Sequence, residues 1–303
     1  MSELLRVRCT GAPRDLGLDQ GAAARAAIRA GLRAAPASLL RELLPGSRAR
    51  RALRDLERFF PHHAERMQGL SLGARVPEGA LAPGLAALLA GDAGLAAAVS
   101  SERAAPGALV ARSLAVAPAG VVLRESHPDN DYRSLELAPE GSPAAWIGVN
   151  EHGLAGTATA LPAPDALLDG CAAPAQLLVQ DVLQRFDTVD KAVEWALRRP
   201  AGGRASLLLA DASGRVAAVR IEGRKRRIAG VGDAFLTGLG PPAAVAALEK
   251  GGAEARRFDA IALARLLDEA SAAPRLVAVA DPLGRRLGLS RGGVAIEWHE
   301  LGR

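Results

Sequence analysis

The pattern of apolar and polar positions changes character near residue 96. Before it, apolar residues recur mostly at helical spacing; after it, short runs that alternate apolar and polar predominate. Residues 3–10 alternate as a first strand, which Gly11-Ala12-Pro13-Arg14-Asp15-Leu16-Gly17 closes with a turn. Helices are predicted over 19–35, ended by Pro36, and over 38–44, 48–59 and 62–70. A further helical stretch over 77–91 is broken at Pro83-Gly84.

The small-residue run Ala96-Ala97-Ala98-Val99-Ser100-Ser101 enters a short strand, Pro106-Gly107 marks a turn, and a second strand follows over 108–116. Strands are predicted at 120–126, 133–138, 144–150 and 153–161, with Asn150-Glu151-His152-Gly153 as a tight hairpin turn. Helices follow at 174–186 and 188–198, the second capped by Thr188 or Asp187. Strands at 204–210, 215–222 and 225–231 precede a helix at about 254–270 and three closing strands, 275–280, 285–289 and 293–300. This order predicts an α/β (α+β) fold, a four-layer αββα sandwich of two antiparallel sheets packed face to face between helical layers. No repeat or linker interrupts it. Residues 1–303 therefore read as one domain, with 1–95 a mainly helical covering layer and 96–303 a sheet core with helices.

Composition narrows the function classes. A chain of 303 residues, 49% hydrophobic and 23% charged, builds a sizeable core. The net charge of +5 is spread along the chain and is not interleaved with aromatic residues, only 3% of the total, so a nucleic-acid partner is not expected. No apolar run reaches membrane-spanning length, and the first residues lack a signal-peptide core, so no membrane partner and a cytoplasmic location are expected. Neither cofactor nor metal is expected. Cys9 and Cys171 have no metal-like spacing and read as small apolar residues. His127-Pro128-Asp129-Asn130-Asp131 reads as a solvated turn, and neither His62-His63 nor His299 has a companion set in the sequence. The basic run Arg224-Lys225-Arg226-Arg227 reads as a protected sheet edge. Oligomeric state stays open.

Several segments together resemble the acyl-coenzyme A:isopenicillin N acyltransferase type of N-terminal-nucleophile (Ntn) hydrolase, with bile-salt and penicillin amidases as more distant cousins. They are residues 11–17 with Gln20-Gly21, Glu65-Arg66-Met67-Gln68-Gly69-Leu70 leading to Gly73-Ala74, and Gly148-Val149-Asn150-Glu151-His152-Gly153-Leu154. Thr188-Val189-Asp190-Lys191-Ala192 and Leu209-Ala210-Asp211-Ala212-Ser213-Gly214, with Glu222, complete the set, which spans almost the whole chain. The resemblance implies amide hydrolysis or acyl transfer by a cysteine that cuts the chain before itself and then uses its freed α-amine as general base. It also implies an arginine and an aspartate on the next strand that position the nucleophile, two asparagines at the oxyanion, and an arginine on a late helix.

Carried onto this chain, the cysteine falls at Val99, which has no nucleophilic atom. The arginine is Arg112, followed by Ser113, while the aspartate is replaced by Ala115. The hairpin asparagine is Asn150, the second asparagine falls at Gly238, and the late arginine is Arg256 or Arg257. Ser100 and Ser101 are the neighbouring hydroxyls. Alternation turns Ser100 to the other face from Val99, and Ser101 lies about 6.5–7 Å farther along the strand. The expectation is a homologue of linear-amide hydrolases and acyltransferases that has lost catalysis and keeps a cleft for a small acyl or amide ligand near Val99, Arg112 and Asn150. The alternatives are an active amidohydrolase or acyltransferase using Ser100 or Ser101, and a pseudoenzyme that binds a protein partner.

Overall fold

The stretches flanking Pro106-Gly107 form adjacent antiparallel strands, β2 (Ala96–Val99) and β3 (Leu109–Leu114), with Ala96 opposite Arg112 and Val99 opposite Leu109. The computed structural model describes residues 4–34, 46–91, 94–115, 120–271 and 276–302, so the helix expected over 38–44 lies outside the described residues.

The chain enters through β1 (Leu5–Gly11) and passes into a run of helices: α1 (Pro13–Ala23), α2 (Arg25–Ala34), α3 (Arg48–Phe59), α4 (Pro61–Ala74) and α5 (Ala82–Ala90). After β2 and β3 come β4 (Val121–Pro128), β5 (Ser134–Pro139), β6 (Ile147–Asn150) and β7 (Leu154–Leu161). The helices α6 (Gln176–Arg185) and α7 (Val189–Arg198) lead to β8 (Arg204–Asp211), β9 (Val216–Glu222), β10 (Lys225–Val231) and the short β11 (Phe235–Thr237). Last are α8 (Pro242–Glu254), α9 (Ala260–Glu269), β12 (Leu276–Asp281), β13 (Arg286–Arg291) and β14 (Ile296–Glu300).

The strands sort into an eight-stranded sheet, β1-β4-β5-β6-β7-β8-β9-β10, and a six-stranded sheet, β11-β2-β3-β12-β13-β14. Helices α1, α6 and α7 lie on the large sheet, with α4 packed on α1, while α8 and α9 lie on the small one. The α+β architecture with two facing sheets is thus the expected αββα sandwich. It departs from an all-antiparallel scheme in one place, because β1 runs parallel to β4 at the edge of the large sheet. The apolar core between the sheets takes Ala96, Ala98 and Val110 from the small sheet. Ala97, Val99, Leu109 and Ala111 turn the other way, into a separate core with Phe258, Leu263 and Leu267.

Local chemistry explains where the element boundaries moved. The segment 11–17, expected as a turn, is mostly helix, because Pro13 sits in the first turn, where its missing N–H and fixed φ suit a helix start. Pro83 likewise opens α5 and does not break it. At α7, Thr188 makes no side-chain cap; Asp211, from the β8–β9 turn, accepts from the Val189 amide at 2.9 Å. The first helical motif and Glu65–Ala74 turn out to be two surfaces of one crossing. A Cβ on Gly17 would overlap the Arg66 carbonyl oxygen, and one on Gly69 that of Arg14. Gly21 and Gly73 stand in the same way against Leu70 and Leu18. Glycines four apart on each helix let the two backbones touch. No helix of the described residues is long and apolar enough to cross a membrane.

Candidate functional site

The residues singled out from sequence do not gather at one point. Val99 is fully buried in the outer core, beneath α8 and α9. Arg112, also fully buried, lies opposite Ala96, and strand alternation gives those two the face that looks into the space between the sheets. Asn150 belongs to a third layer. Its side-chain amide donates to the carbonyls of Leu183 and Phe186 at 2.8 and 2.7 Å, and its Oδ1 accepts from the His152 and Leu154 amides at 3.1 and 2.9 Å. The asparagine ties the hairpin to the end of α6, on the far side of the large sheet. Val99, Arg112 and Asn150 therefore do not line one cleft.

Ser100 lies just past the strand with its amide bound to Ala234 O, its carbonyl accepting from Arg103 and Ala104, and its Oγ buried without a hydrogen bond among the described residues. Ser101 is exposed and its amide donates to Gly214 O in the β8–β9 turn. Arg256 and Arg257 are exposed in the link between α8 and α9, on the outer layer. Ala115 is exposed at the end of β3.

What does surround Arg112 is centred on Ala96. The Gly238 amide donates to Ala96 O at 2.8 Å, and a Cβ built on Gly238 would stand 3.2 Å from Ala96 Cβ and 2.7 Å from Thr159 Oγ1. Thr159 pairs with Ser206, and Ser206 with Arg220, so the three share one face of the large sheet. Arg220 donates to Thr237 O at 3.1 Å. Thr159 Oγ1 and Ser206 Oγ are buried without hydrogen-bond partners among the described residues. One cross-strand pairing, one amide contact and the close approach of Thr159 to Gly238 therefore bring together Ala96, Arg112, Gly238 and Thr159. Periodicity could have placed Ala96 on the face of Arg112, but a methyl group carries no chemical signal in a sequence.

Neither cysteine is an activated thiol. Both are free and buried, and burial raises each thiol's pKa, that of Cys171 to about 11. A second polar cluster lies under α1, α4 and α6. Arg124 and Glu136, both fully buried, pair at 2.6 Å, and Ser126 Oγ donates to Glu136 at 3.1 Å while accepting from Arg66 at 3.1 Å. Gln180 donates to Glu136 at 2.9 Å, and Gln20 accepts from Arg124 at 2.8 Å. Burial brings the Arg66 guanidinium down to about 10, still charged at neutral pH. This cluster joins helices to sheet.

The pair His62-His63 has a companion after all. Asp181, on α6, reaches both, with its Oδ1 2.5 Å from His62 Nε2 and 3.0 Å from His63 Nε2. Sequence reading missed it because the partner sits on another helix, more than a hundred residues along the chain. Burial, with His62 nearby, lowers His63 to about 4, so its imidazole is neutral at pH 7, while the two imidazoles hold the Asp181 carboxyl far below its usual range.

No family model matches the chain, and no curated protein matches it. Solved structures do show a partial likeness. A mutant conjugated bile acid hydrolase from Clostridium perfringens is 11% identical, with a TM-score of 0.47, covering 69% of this chain and 92% of that one. Penicillin V acylase from Agrobacterium tumefaciens is 16% identical, with a TM-score of 0.41, over 70% of this chain and 79% of that one. An N-acylethanolamine-hydrolyzing acid amidase ortholog from Caenorhabditis elegans is 14% identical, with a TM-score of 0.45, over 63% and 93%.

Proposed function

We propose that this chain is a non-catalytic relative of the Ntn hydrolases and acyltransferases that keeps buried polar groups able to bind a small acyl or amide ligand. One observation carries the reading: the residue facing Arg112 across β2 and β3 is Ala96, whose methyl group can neither attack a carbonyl nor cut the chain. The position of the lost nucleophile is therefore Ala96, three residues before the Val99 that sequence resemblance pointed to. The surroundings agree with it. Gly238 has no side chain to hold an oxyanion, and the space an asparagine would need there is taken by Thr159 Oγ1. The hydroxyls of Thr159 and Ser206, buried and without partners among the described residues, are groups a small polar ligand would bind.

The second reading, an active amidohydrolase or acyltransferase, draws on the buried, unbonded Oγ of Ser100. Intact-mass spectrometry of purified protein separates the two. A single 31.2 kDa chain, with no release of chromophore from short acyl amides, is the expected result. A new N-terminus anywhere from residue 96 to residue 101 would overturn it. Ligand retention is tested on the same sample by thermal unfolding against a panel of small acyl amides and carboxylates. A concentration-dependent rise in midpoint is expected for at least one class. Its absence across the panel removes ligand binding from the proposal and leaves the protein-interaction reading.

A further inference from the structure

A second set of chemically capable side chains lies in the outer helical layer, across the large sheet from Ala96 and Arg112. His62 and His63 are in the first turn of α4, and Asp181 is in the middle of α6. Their imidazole rings stand 4.2 Å apart, and the ligand atoms of the three residues lie within 4.8 Å of one another. The side chains of Asp181 and His63 are 0% and 1% exposed, that of His62 20%. The second Asp181 oxygen, Oδ2, is buried with no hydrogen bond among the described residues, and His63 Nε2, also buried, has only a poorly aligned contact with Asp181 Oδ1 at 3.0 Å. Two such atoms, one imidazole nitrogen and one carboxylate oxygen, meet in one place. Buried polar groups rarely go unsatisfied, and an ion is one of the ordinary reasons.

The cluster also opens onto space. A cleft of about 180 Å³ runs beside it, bounded by Gly11, Asp129, Asn130, Asp131 and Gln184. The Asp129–Asp131 segment, which sequence reads as a solvated turn, is therefore one wall of this cleft. Gln184 Nε2 is buried without a hydrogen bond among the described residues as well.

We propose that His62, His63 and the Asp181 carboxylate form a binding site for a divalent transition-metal ion, zinc in first place, with its remaining coordination position open to this cleft. Two imidazoles and one carboxylate suit zinc and its neighbours, whereas magnesium and calcium require oxygen ligands. Tetrahedral zinc, with bonds of about 2.0–2.1 Å, sets its ligand atoms about 3.3 Å apart. The observed spacings, from 2.5 Å up to at most 4.8 Å, bracket that value. Two cations are near: Arg66, buried, lines the same cleft, and Arg185 lies closer to the ligand atoms. Arg185 is the one that competes directly for the carboxylate. Its guanidinium lies 3.9 Å from Asp181 Oδ1 and 3.5 Å from the ring nitrogens of His62. A third of its side chain is exposed, so it can turn to solvent when the ion arrives.

The test uses the full chain without an affinity tag, stripped with a chelator and dialysed. It is titrated with Zn²⁺ by calorimetry and with Co²⁺ by visible absorption. One equivalent of Zn²⁺ per chain, d–d bands from a low-coordinate Co²⁺ site and a raised melting temperature are expected. His62→Gln alters the one partly exposed ligand and should fold. It is expected to weaken binding beyond the roughly 10–100-fold that loss of an outer-shell partner causes. It should also abolish the thermal shift, while His152→Ala binds as wild type does. Asp181→Asn is the companion variant. Its failure to fold would not matter, since His62→Gln alone decides. Wild-type protein without stoichiometric binding, or His62→Gln binding like wild type, overturns the proposal.

Discussion

At position 96 a methyl group stands opposite a buried guanidinium, and the proposed loss of catalysis rests on that pairing. Val99→Cys would place a thiol in the outer core, among Phe258, Leu263 and Leu267, away from Arg112. Ala96→Cys would place one on the face of Arg112. Neither variant is expected to cut itself. A thiol is largely protonated near neutral pH, on the proposed reading the general base would appear only after cleavage, and Gly238 has no side chain to act as an oxyanion donor. Loss of one oxyanion donor typically reduces the rate by about 100–1,000-fold. Intact mass followed over days checks this. Prompt cleavage of Ala96→Cys would show that the rest of the site is still competent, and prompt cleavage of Val99→Cys would show that the register of β2 is misread. The arginine was legible in the sequence because its neighbourhood is distinctive. Its partner was not, because Ala96, Ala97 and Ala98 offer three equivalent methyls, and only the pairing of β2 with β3 selects among them. Asn150 was legible as a hairpin residue; its grip on the end of α6 was not, since those carbonyls lie on a separate element.

At the scale of elements, the motifs that carry the family resemblance in the first third of the chain serve packing. Gly17 and Gly21 on α1 face Gly69 and Gly73 on α4, and added Cβ atoms there meet backbone, which cannot rotate aside as a side chain tip can. Gly69→Ala is therefore expected to destabilise the protein by about 1–3 kcal/mol or more, the range for overpacking, even though alanine favours helix by about 1 kcal/mol over glycine. Chemical denaturation measures it, and a stability equal to wild type would mean the helices can part at no cost. The same scale shows what periodicity could and could not read. Helix α3 has the limits expected of it, and Ser47 caps it, accepting from Arg50 at 3.2 Å, ahead of a strongly amphipathic run. Helix α8 was not predicted; Pro241-Pro242 and Gly251-Gly252 are residue types that disfavour a helix interior. In the fold the prolines supply its cap and first turn, and the Gly251 carbonyl accepts from Ala255 to close its last turn. The strand β11, three residues long, is too short to show a period.

In the whole molecule, helices and large sheet are joined by buried charge as well as by apolar contact. Arg66, Arg124 and Glu136 are all fully buried between α4 and the sheet, and Arg124, Arg66 and Ser134 together hold the Glu136 carboxyl below its ordinary value despite the opposing effect of burial. A carboxyl whose pKa is lower in the folded than in the unfolded chain contributes stability above the unfolded value, near 4.5. That contribution is lost as pH falls through the folded value. The network should therefore weaken below pH 4.5 and not between pH 5 and 8. Glu136→Gln leaves two guanidiniums buried without their carboxylate, a change that typically destabilises by about 3–5 kcal/mol. Urea unfolding at a series of pH values is expected to show the variant well below wild type at pH 7, with the gap narrowing steadily as pH drops under 4.5. Glu125 and Glu151 are also depressed, by their partners Arg6, His127 and Arg133, so wild type and variant should both lose some stability in acid. The decisive quantity is the difference between them. A gap that stays constant from pH 7 to pH 3 would mean that Glu136 acts by shape alone, and that the joint between α4 and the sheet does not depend on its charge.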